Sequence, residues 1–166
     1  SICPQHAILV GAGHGISRIA PILQDIALRL KNESNNILLK RIDLHWIIED
    51  QAYFEWFTKL LQDIKDDSGF FNYHIYFVEK TVEDFNEKLM YISTNTIDKS
   101  TNISLLDNLW EMSTFGLPDW SDRFKKNRKK YSDLNCCVFY SGPKKYKKKI
   151  KKSCKVLQIS FKNNMF

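Results

Sequence analysis

A four-residue apolar run, Ala7-Ile8-Leu9-Val10, stops against the glycine cluster Gly11-Ala12-Gly13-His14-Gly15. Directly after it Ile19, Ile22, Leu23, Ile26, Ala27 and Leu30 recur at helical spacing and form one apolar stripe of about three turns. A short run without polar alternation suits a strand buried on both faces, so the segment reads as strand, glycine turn, helix. A buried parallel strand needs helices over both faces of its sheet, and this unit therefore constrains the fold more than any other feature of the chain.

The pattern recurs downstream. A polar connector, residues 31–36, leads to the run Ile42-Asp43-Leu44-His45-Trp46-Ile47-Ile48, which ends at Glu49-Asp50. A second stripe of Tyr53, Trp56, Phe57, Leu60, Leu61 and Ile64 follows, with Asp50 where an N-cap acceptor belongs. Residues 73–78 read as a third strand, residues 82–91 as a helix and residues 93–102 as a surface loop. Phe115-Gly116-Leu117-Pro118-Asp119-Trp120 is a turn opening a helix over 121–130. Residues 136–140 form a further strand with Ser141-Gly142-Pro143 as its exit turn, before a helix over 146–154 and a last strand over 156–161. The expectation is one α/β domain over residues 1–166, a doubly wound parallel sheet of about five strands with helices on both faces and ligand sites at the carboxyl ends of the strands.

Composition agrees and removes several function classes. With 166 residues, 43% of them hydrophobic and 13% aromatic, the chain is neither disordered nor fibrous and can build a core without disulfides or metal. No apolar run nears the roughly 18 residues of a bilayer-spanning helix, and SICPQHAILV has no basic region ahead of an apolar stretch, so a domain outside the bilayer without a secretion signal is expected. The four cysteines form no CxxC pair. Cys136 and Cys137 are strand neighbours facing opposite sides and cannot share a metal; reduced thiols and no metal site are the expectation. A net charge of +6 calls for an acidic partner without choosing among a phosphorylated small molecule, a nucleic acid and a membrane surface.

The glycine turn carries the chemistry. Glycines let backbone approach a pyrophosphate, and the free amides of the following helix supply positive potential. The spacing is G-x-G-x-G and not the dinucleotide fingerprint G-x-G-x-x-G, and no acidic residue follows at the usual interval of about 20 at the end of strand two. A tight turn that needs a positive φ is the plain alternative, and His14 reads as a solvent-facing loop residue. Ser141-Gly142-Pro143 would lie at the same sheet edge across the switch point, so the two turns can clasp one ligand. Ser141 has no sequence-near histidine or acid to activate it, which argues against a hydrolase.

Together these segments resemble the C-terminal NADPH-binding lobe of the NADPH oxidases, within the ferredoxin-reductase-like flavoenzyme group. The resemblance rests on five ordered blocks across almost the whole chain: LVGAGHGISRIAPIL as the glycine loop, HWIIEDQAYFEWFTKLLQDI as the second strand and its helix, FGLPDW, VFYSGP and the terminal FKNNMF. It implies a domain that positions NADPH for hydride transfer to FAD held by a barrel domain of the same parent chain, with electrons passing to membrane haems and oxygen to give superoxide or hydrogen peroxide. It implies a place on the cytosolic face of a membrane, and no turnover by the domain alone.

By the same resemblance Gly11, Ala12, Gly13, His14, Gly15, Ile16 and Ser17 match the loop at the pyrophosphate and nicotinamide, and Glu49 and Asp50 the end of strand two. Gly116 and Pro118 match the Gly-Arg-Pro turn, Ser141, Gly142 and Pro143 the turn beside the nicotinamide, and Phe166 the terminal aromatic near the flavin. Ser141 and Phe166 are the implied residues at the reacting end. The departures are specific. The family's Thr-Pro after the loop is Ser17-Arg18, its Cys before Gly-Pro is Ser141, its Arg in the Gly-Arg-Pro turn is Leu117, and its Arg at the end of strand two is Glu49. Glu49 would repel an adenosine 2′-phosphate and accept a hydrogen bond from a ribose 2′-OH. With two basic positions lost, at Glu49 and Leu117, three alternative readings stand: weak NADPH use, a shift toward NADH, or a degenerate regulatory or docking lobe, with Arg18 or Lys144-Lys145 as candidate compensating cations.

Seven lysines fall within residues 144–152, with Lys125-Lys126-Asn127-Arg128-Lys129-Lys130 upstream. Tyr146, Ile150 and Cys154 lie four apart and supply an inward stripe, so the lysines coat the outside of a docked helix. A solvated face is the plain reading, an anionic membrane surface or a cytosolic regulator the functional one. No nucleic-acid module or aromatic-lined groove is present, and a nucleic-acid partner is not expected.

Overall fold

The computed structural model describes residues 4–32, 37–49, 59–61, 63–64, 68–78, 87, 90 and 111–164. In chain order these hold strand β1 (His6–Ala12), a 3-10 turn (Gly13–Gly15), helix α1 (Ile16–Lys31), β2 (Arg41–Ile48), β3 (Phe71–Phe77) and β4 (Ser113–Phe115). Helix α2 (Trp120–Lys130), β5 (Cys136–Ser141), helix α3 (Lys144–Leu157) and β6 (Ser160–Asn163) complete them. The six strands form one sheet in the order β4-β3-β2-β1-β5-β6, and every pairing is parallel. From β1 the chain runs outward through β2, β3 and β4 and then returns to the other side of β1 as β5. That reversal puts a switch point between the carboxyl ends of β1 and β5.

Alternation along β1 divides the core. Ala7 and Leu9 face α1, where Ile16, Ile19, Leu23 and Ala27 pack with Leu60, Leu61 and Ile64. Ile8 and Val10 face α2 and α3, where Trp120, Phe124, Tyr146, Ile150 and Cys154 are buried. Helices therefore cover both faces, and β1 and β2 are buried at every position, as an all-parallel sheet requires. Cys137 joins the first cluster and Cys136 packs against the second, on opposite faces.

Three sequence expectations shift. The sheet has six strands because Ser113-Thr114-Phe115 adds to the edge of β3, a segment too short to show any alternation. Val156 belongs to α3, which runs to Leu157 and stops where Gln158 turns left-handed (φ 55°), so the last strand begins only at Ser160. Helix α2 starts at Trp120, with the Asp119 carboxylate accepting from the Asp122 amide at 3.1 Å. Of the second expected helix residues 59–61 and 63–64 are helical, as are Glu87 and Met90 of the third. The remainder of both, the Asp50 cap, the 93–102 loop and Cys3 lie outside the described residues.

At the amino edge of the sheet a polar cluster is buried. His6 Nε2 lies 2.5 Å from Asp43 Oδ2, the Asn72 amide donates to Asp43 Oδ1 at 3.0 Å, and Arg41 lies 3.4 Å from the same oxygen. Burial pushes the Asp43 pKa up, but the His6 and Asn72 bonds and the Arg41 charge outweigh it and hold the carboxyl below its ordinary value.

Candidate functional site

The site is assembled where β1 and β5 end side by side. Gly11 pairs with Ser141 across the ladder, so the turns that leave both strands emerge as neighbours. They touch through backbone. A Cβ on Gly15 would lie 1.9 Å from the Ser141 carbonyl oxygen and 2.7 Å from the Gly142 nitrogen, and one on Gly142 would lie 2.9 Å from the Ala12 oxygen. Only glycine permits that approach. Gly13 is different: its φ of +52° is the left-handed conformation, and a Cβ there would meet nothing within 4 Å. The outer side of the turn is thus open while the inner side is packed shut.

Above the seam lies a cavity of about 360 Å³. His14, Gly15 and Arg18 line it from one turn and Ser141, Gly142 and Pro143 from the other, with Asn163 and Asn164 closing the side beyond β6. No carboxylate is among these lining residues. Helix α1 begins beside it, with no side-chain acceptor capping its first amides. The α1 N-terminus and the Arg18 guanidinium give the cavity a positive potential suited to a phosphate. The Ser17 hydroxyl donates to the His14 carbonyl at 2.7 Å and closes the turn. Asn164, at φ +75°, turns its amide back onto the Tyr140 carbonyl at 2.8 Å, and the Tyr140 hydroxyl donates to the Pro143 carbonyl.

A second charged group sits at the same edge. Glu49, directly after β2, takes the Lys145 ammonium on Oε1 at 2.6 Å, and the Tyr146 hydroxyl donates to the same oxygen. Lys145 and Tyr146 belong to the first turn of α3, which follows β5, so the contact bridges the two strands that flank β1. Burial raises the Glu49 pKa, and the bonds from Lys145 and Tyr146 more than reverse it; Glu49 in turn raises that of Lys145. Both partners are charged at neutral pH. The Lys145 side chain is 60% exposed and that of Glu49 29%, so the pair is open to solvent and to exchange of partners.

The structure sorts the residues singled out from sequence. His14, Gly15, Ser141, Gly142 and Pro143 line the cavity, while Gly13 is buried and is not among its lining residues. Gly11, Ala12 and Ile16 are buried and do not line the cavity: Ile16 joins the core, and a Cβ on Gly11 would press to 3.1 Å from the Ile19 side chain. Gly116 and Pro118 follow β4 at the same carboxyl edge but beyond β3, away from the cavity; the Gly116 amide donates to the Phe77 carbonyl at 2.9 Å. Asp50 and Phe166 lie outside the described residues. Asn163, Asn164 and Tyr146 went unnoticed as site residues, although an asparagine closing the FKNN segment is a signal for a left-handed turn. The cation that reaches Glu49 is Lys145, while Arg18 faces the cavity.

Comparison with known proteins gives a consistent picture. Residues 5–155 match the family model described as the ferric reductase NAD binding domain. The chain is 29% identical over 153 residues to dual oxidase of Drosophila melanogaster, a match covering 89% of this chain and 10% of that protein. It is 26% identical over 154 residues to NADPH oxidase 1 of Mus musculus, covering 89% and 25%, and 26% identical over 155 residues to dual oxidase 2 of Homo sapiens, covering 91% and 10%. The chain thus spans between a tenth and a quarter of the length of these relatives.

Proposed function

The chain belongs to the ferric reductase NAD-binding domain family, and from that footing we propose that it is the pyridine-nucleotide-binding lobe of an NADPH-oxidase-type flavocytochrome. The observation that carries the reading is the cavity over the Gly15–Ser141 seam, with positive groups on its walls and no acid. The residues present suit a dinucleotide. The cavity leaves room for a phosphate at the start of α1, beside Gly15 and Arg18, and its volume suits one half of the ligand.

In this reading the turn amides and Arg18 bind the pyrophosphate. Ser141, Gly142 and Pro143 hold the nicotinamide end from the opposite side, and Phe166 supplies the aromatic that must move aside for stacking. A bound NADPH or NADH supplies a hydride, and FAD in another domain of a longer parent receives it. In such a parent the electrons would go on to haem in a membrane domain and to oxygen, giving superoxide or hydrogen peroxide, with this lobe on the cytosolic face. The chain's own contribution is orientation, so the lobe by itself binds nucleotide without turning over.

Glu49 supports a second reading in which the adenosine end prefers NADH or has lost its affinity, since a carboxylate stands where a 2′-phosphate would come and Leu117 adds no charge. Calorimetric titration with NADPH and NADH in parallel tests both. Micromolar to submillimolar binding of either supports the dehydrogenase lobe. Absence of heat and of thermal shift with both at millimolar ligand leaves a docking lobe and overturns the proposal.

A further inference from the structure

Residues 120–157 contain fourteen Lys and Arg against two acids, Asp122 and Asp133. With the whole chain at +6, these 38 residues carry +12 and all the others together −6. The fold gathers this charge on one side. Helices α2 and α3 lie against the same face of the sheet, joined by the Ser121 hydroxyl on the Ser153 hydroxyl at 3.0 Å and by Arg128 donating to the Leu157 carbonyl. Their apolar residues turn inward, and Lys125, Lys126, Lys129, Lys130, Lys144, Lys148, Lys149, Lys151, Lys152 and Lys155 are exposed.

On α3 the lysines are ordered. Lys144, Lys148, Lys151 and Lys155 follow i, i+4, i+7, i+11 spacing opposite the Tyr146-Ile150-Cys154 stripe, a ridge of about 16 Å. Helix α3 contains no acidic residue, so these like charges have no counter-charge on their own helix, and Lys144 opposes the positive end of the helix dipole. Folded alone, the helix carries repulsion that an external anionic surface would relieve.

We propose that the outer face of α2 and α3 docks on an anionic lipid bilayer. Three observations select that partner from other polyanions. The exposed cations are lysines, point charges lacking the guanidinium fork that reads a phosphate or carboxylate bidentately; Arg128 is held by the Leu157 carbonyl. Trp120, Phe124 and Tyr146, the aromatic residues of the two helices, are buried, so among the described residues neither helix exposes a ring on which a nucleic-acid base could stack. Val156 is the one large apolar side chain exposed on these two helices among the described residues, so the contact is electrostatic and lies on the surface without inserting. A broad, chemically uniform negative surface is what such a ridge fits.

The test is co-sedimentation of the full chain with vesicles of phosphatidylcholine containing about one-third phosphatidylserine, against phosphatidylcholine alone, at low and at threefold higher salt. Binding to the anionic vesicles at least tenfold above the neutral ones, falling steeply with salt, is expected. Lys144→Gln/Lys148→Gln/Lys151→Gln/Lys155→Gln removes the ridge without touching the core and reduces binding by about three orders of magnitude, at roughly fivefold per lysine. The pair Lys148→Gln/Lys155→Gln reduces it about tenfold or more and serves if the larger change alters folding. The pair Lys148→Gln/Lys155→Gln leaves both the nucleotide cavity and the Glu49–Lys145 contact intact, so nucleotide titration of that variant reads the proposed function separately. Equal binding to neutral vesicles, no binding to either, an unaffected fourfold variant, or tighter retention on polyglutamate or a nucleic-acid duplex than on anionic vesicles overturns the proposal.

Discussion

Glu49 and Lys145 make a sharp prediction because they oppose each other. A phosphate carrying nearly two negative charges at roughly 5 Å from the Glu49 carboxylate, in a medium close to water, is repelled by about 1.5 kcal/mol, or about tenfold in affinity. Lys145, 2.6 Å from that carboxylate, cancels most of this in the native protein and is itself engaged in doing so. Glu49→Gln removes the repulsion and releases the ammonium, so NADPH should bind about tenfold or more tightly. NADH should change by about threefold or less, since the amide oxygen still accepts from a ribose hydroxyl. Lys145→Gln leaves the carboxylate uncompensated, and NADPH should weaken several-fold with NADH nearly constant. The preference for NADPH over NADH therefore moves in opposite directions in the two variants, and the gap narrows as salt rises. Paired calorimetric titrations of the native chain and both variants measure it. If Glu49→Gln leaves NADPH affinity where it was, or if each variant shifts both nucleotides equally, the placement of the adenosine end at Glu49 is wrong.

Arg18→Gln should weaken NADH and NADPH alike, by about five- to tenfold, because it acts on the pyrophosphate that both share. Gly15→Ala drives a Cβ into the Ser141 carbonyl and should cost at least about 3 kcal/mol, a fall in Tm of about 10 °C, whereas Gly13→Ala meets open space and should cost only about 1–2 kcal/mol of left-handed strain. Asp43→Ala strands buried Arg41 and His6 and should destabilise by about 3–5 kcal/mol in denaturant titration. Acid stability tests His45, buried between Tyr76 and Asn127, whose pKa burial lowers to about 4 against the raising influence of Asp43 and Asn127. The unfolded chain takes up a proton near pH 6.5 and the folded one only near 4, so stability is full above pH 6.5 and should fall by about 3 kcal/mol as pH drops through that window. His45→Gln should make the decline shallower without abolishing it, since burial and the Arg123 charge also lower the His74 pKa to about 4; an unchanged slope would exclude His45 as a source.

The sequence was informative where a single segment carries both pattern and purpose. The β1–turn–α1 unit is legible because the glycines that open the turn sit between an apolar run and an amphipathic stripe, and the Ser141-Gly142-Pro143 turn because it ends a similar run. What could not be read depends on strand order. Lys145 reaches Glu49 only because β2 and β5 flank β1, which no periodicity in residues 49 or 145 announces. β4 escaped notice since three residues hold too little alternation, and Gly116 and Pro118 share the correct edge yet stand beyond β3, since the edge extends over all six strands. Gly11 is expected in the ligand loop from its spacing alone; its close approach to the Ile19 side chain depends on how α1 packs back on β1, which no motif announces.

The Gly15–Ser141 contact has a thermodynamic consequence for any ligand that settles above it. Peptide groups from two turns meet there with no side chain between them, so neither can shift by an ångström without carrying the other. The floor behaves as one plate whose backbone entropy has already been surrendered during folding. Loss of freedom on binding then falls on the side chains at the rim, Arg18 foremost, at about 0.5–1.5 kcal/mol for each one immobilised. A loop that had to close around its phosphate would lose about 1–2 kcal/mol for every residue fixed. The glycines thus hold the site in its working shape before the ligand arrives.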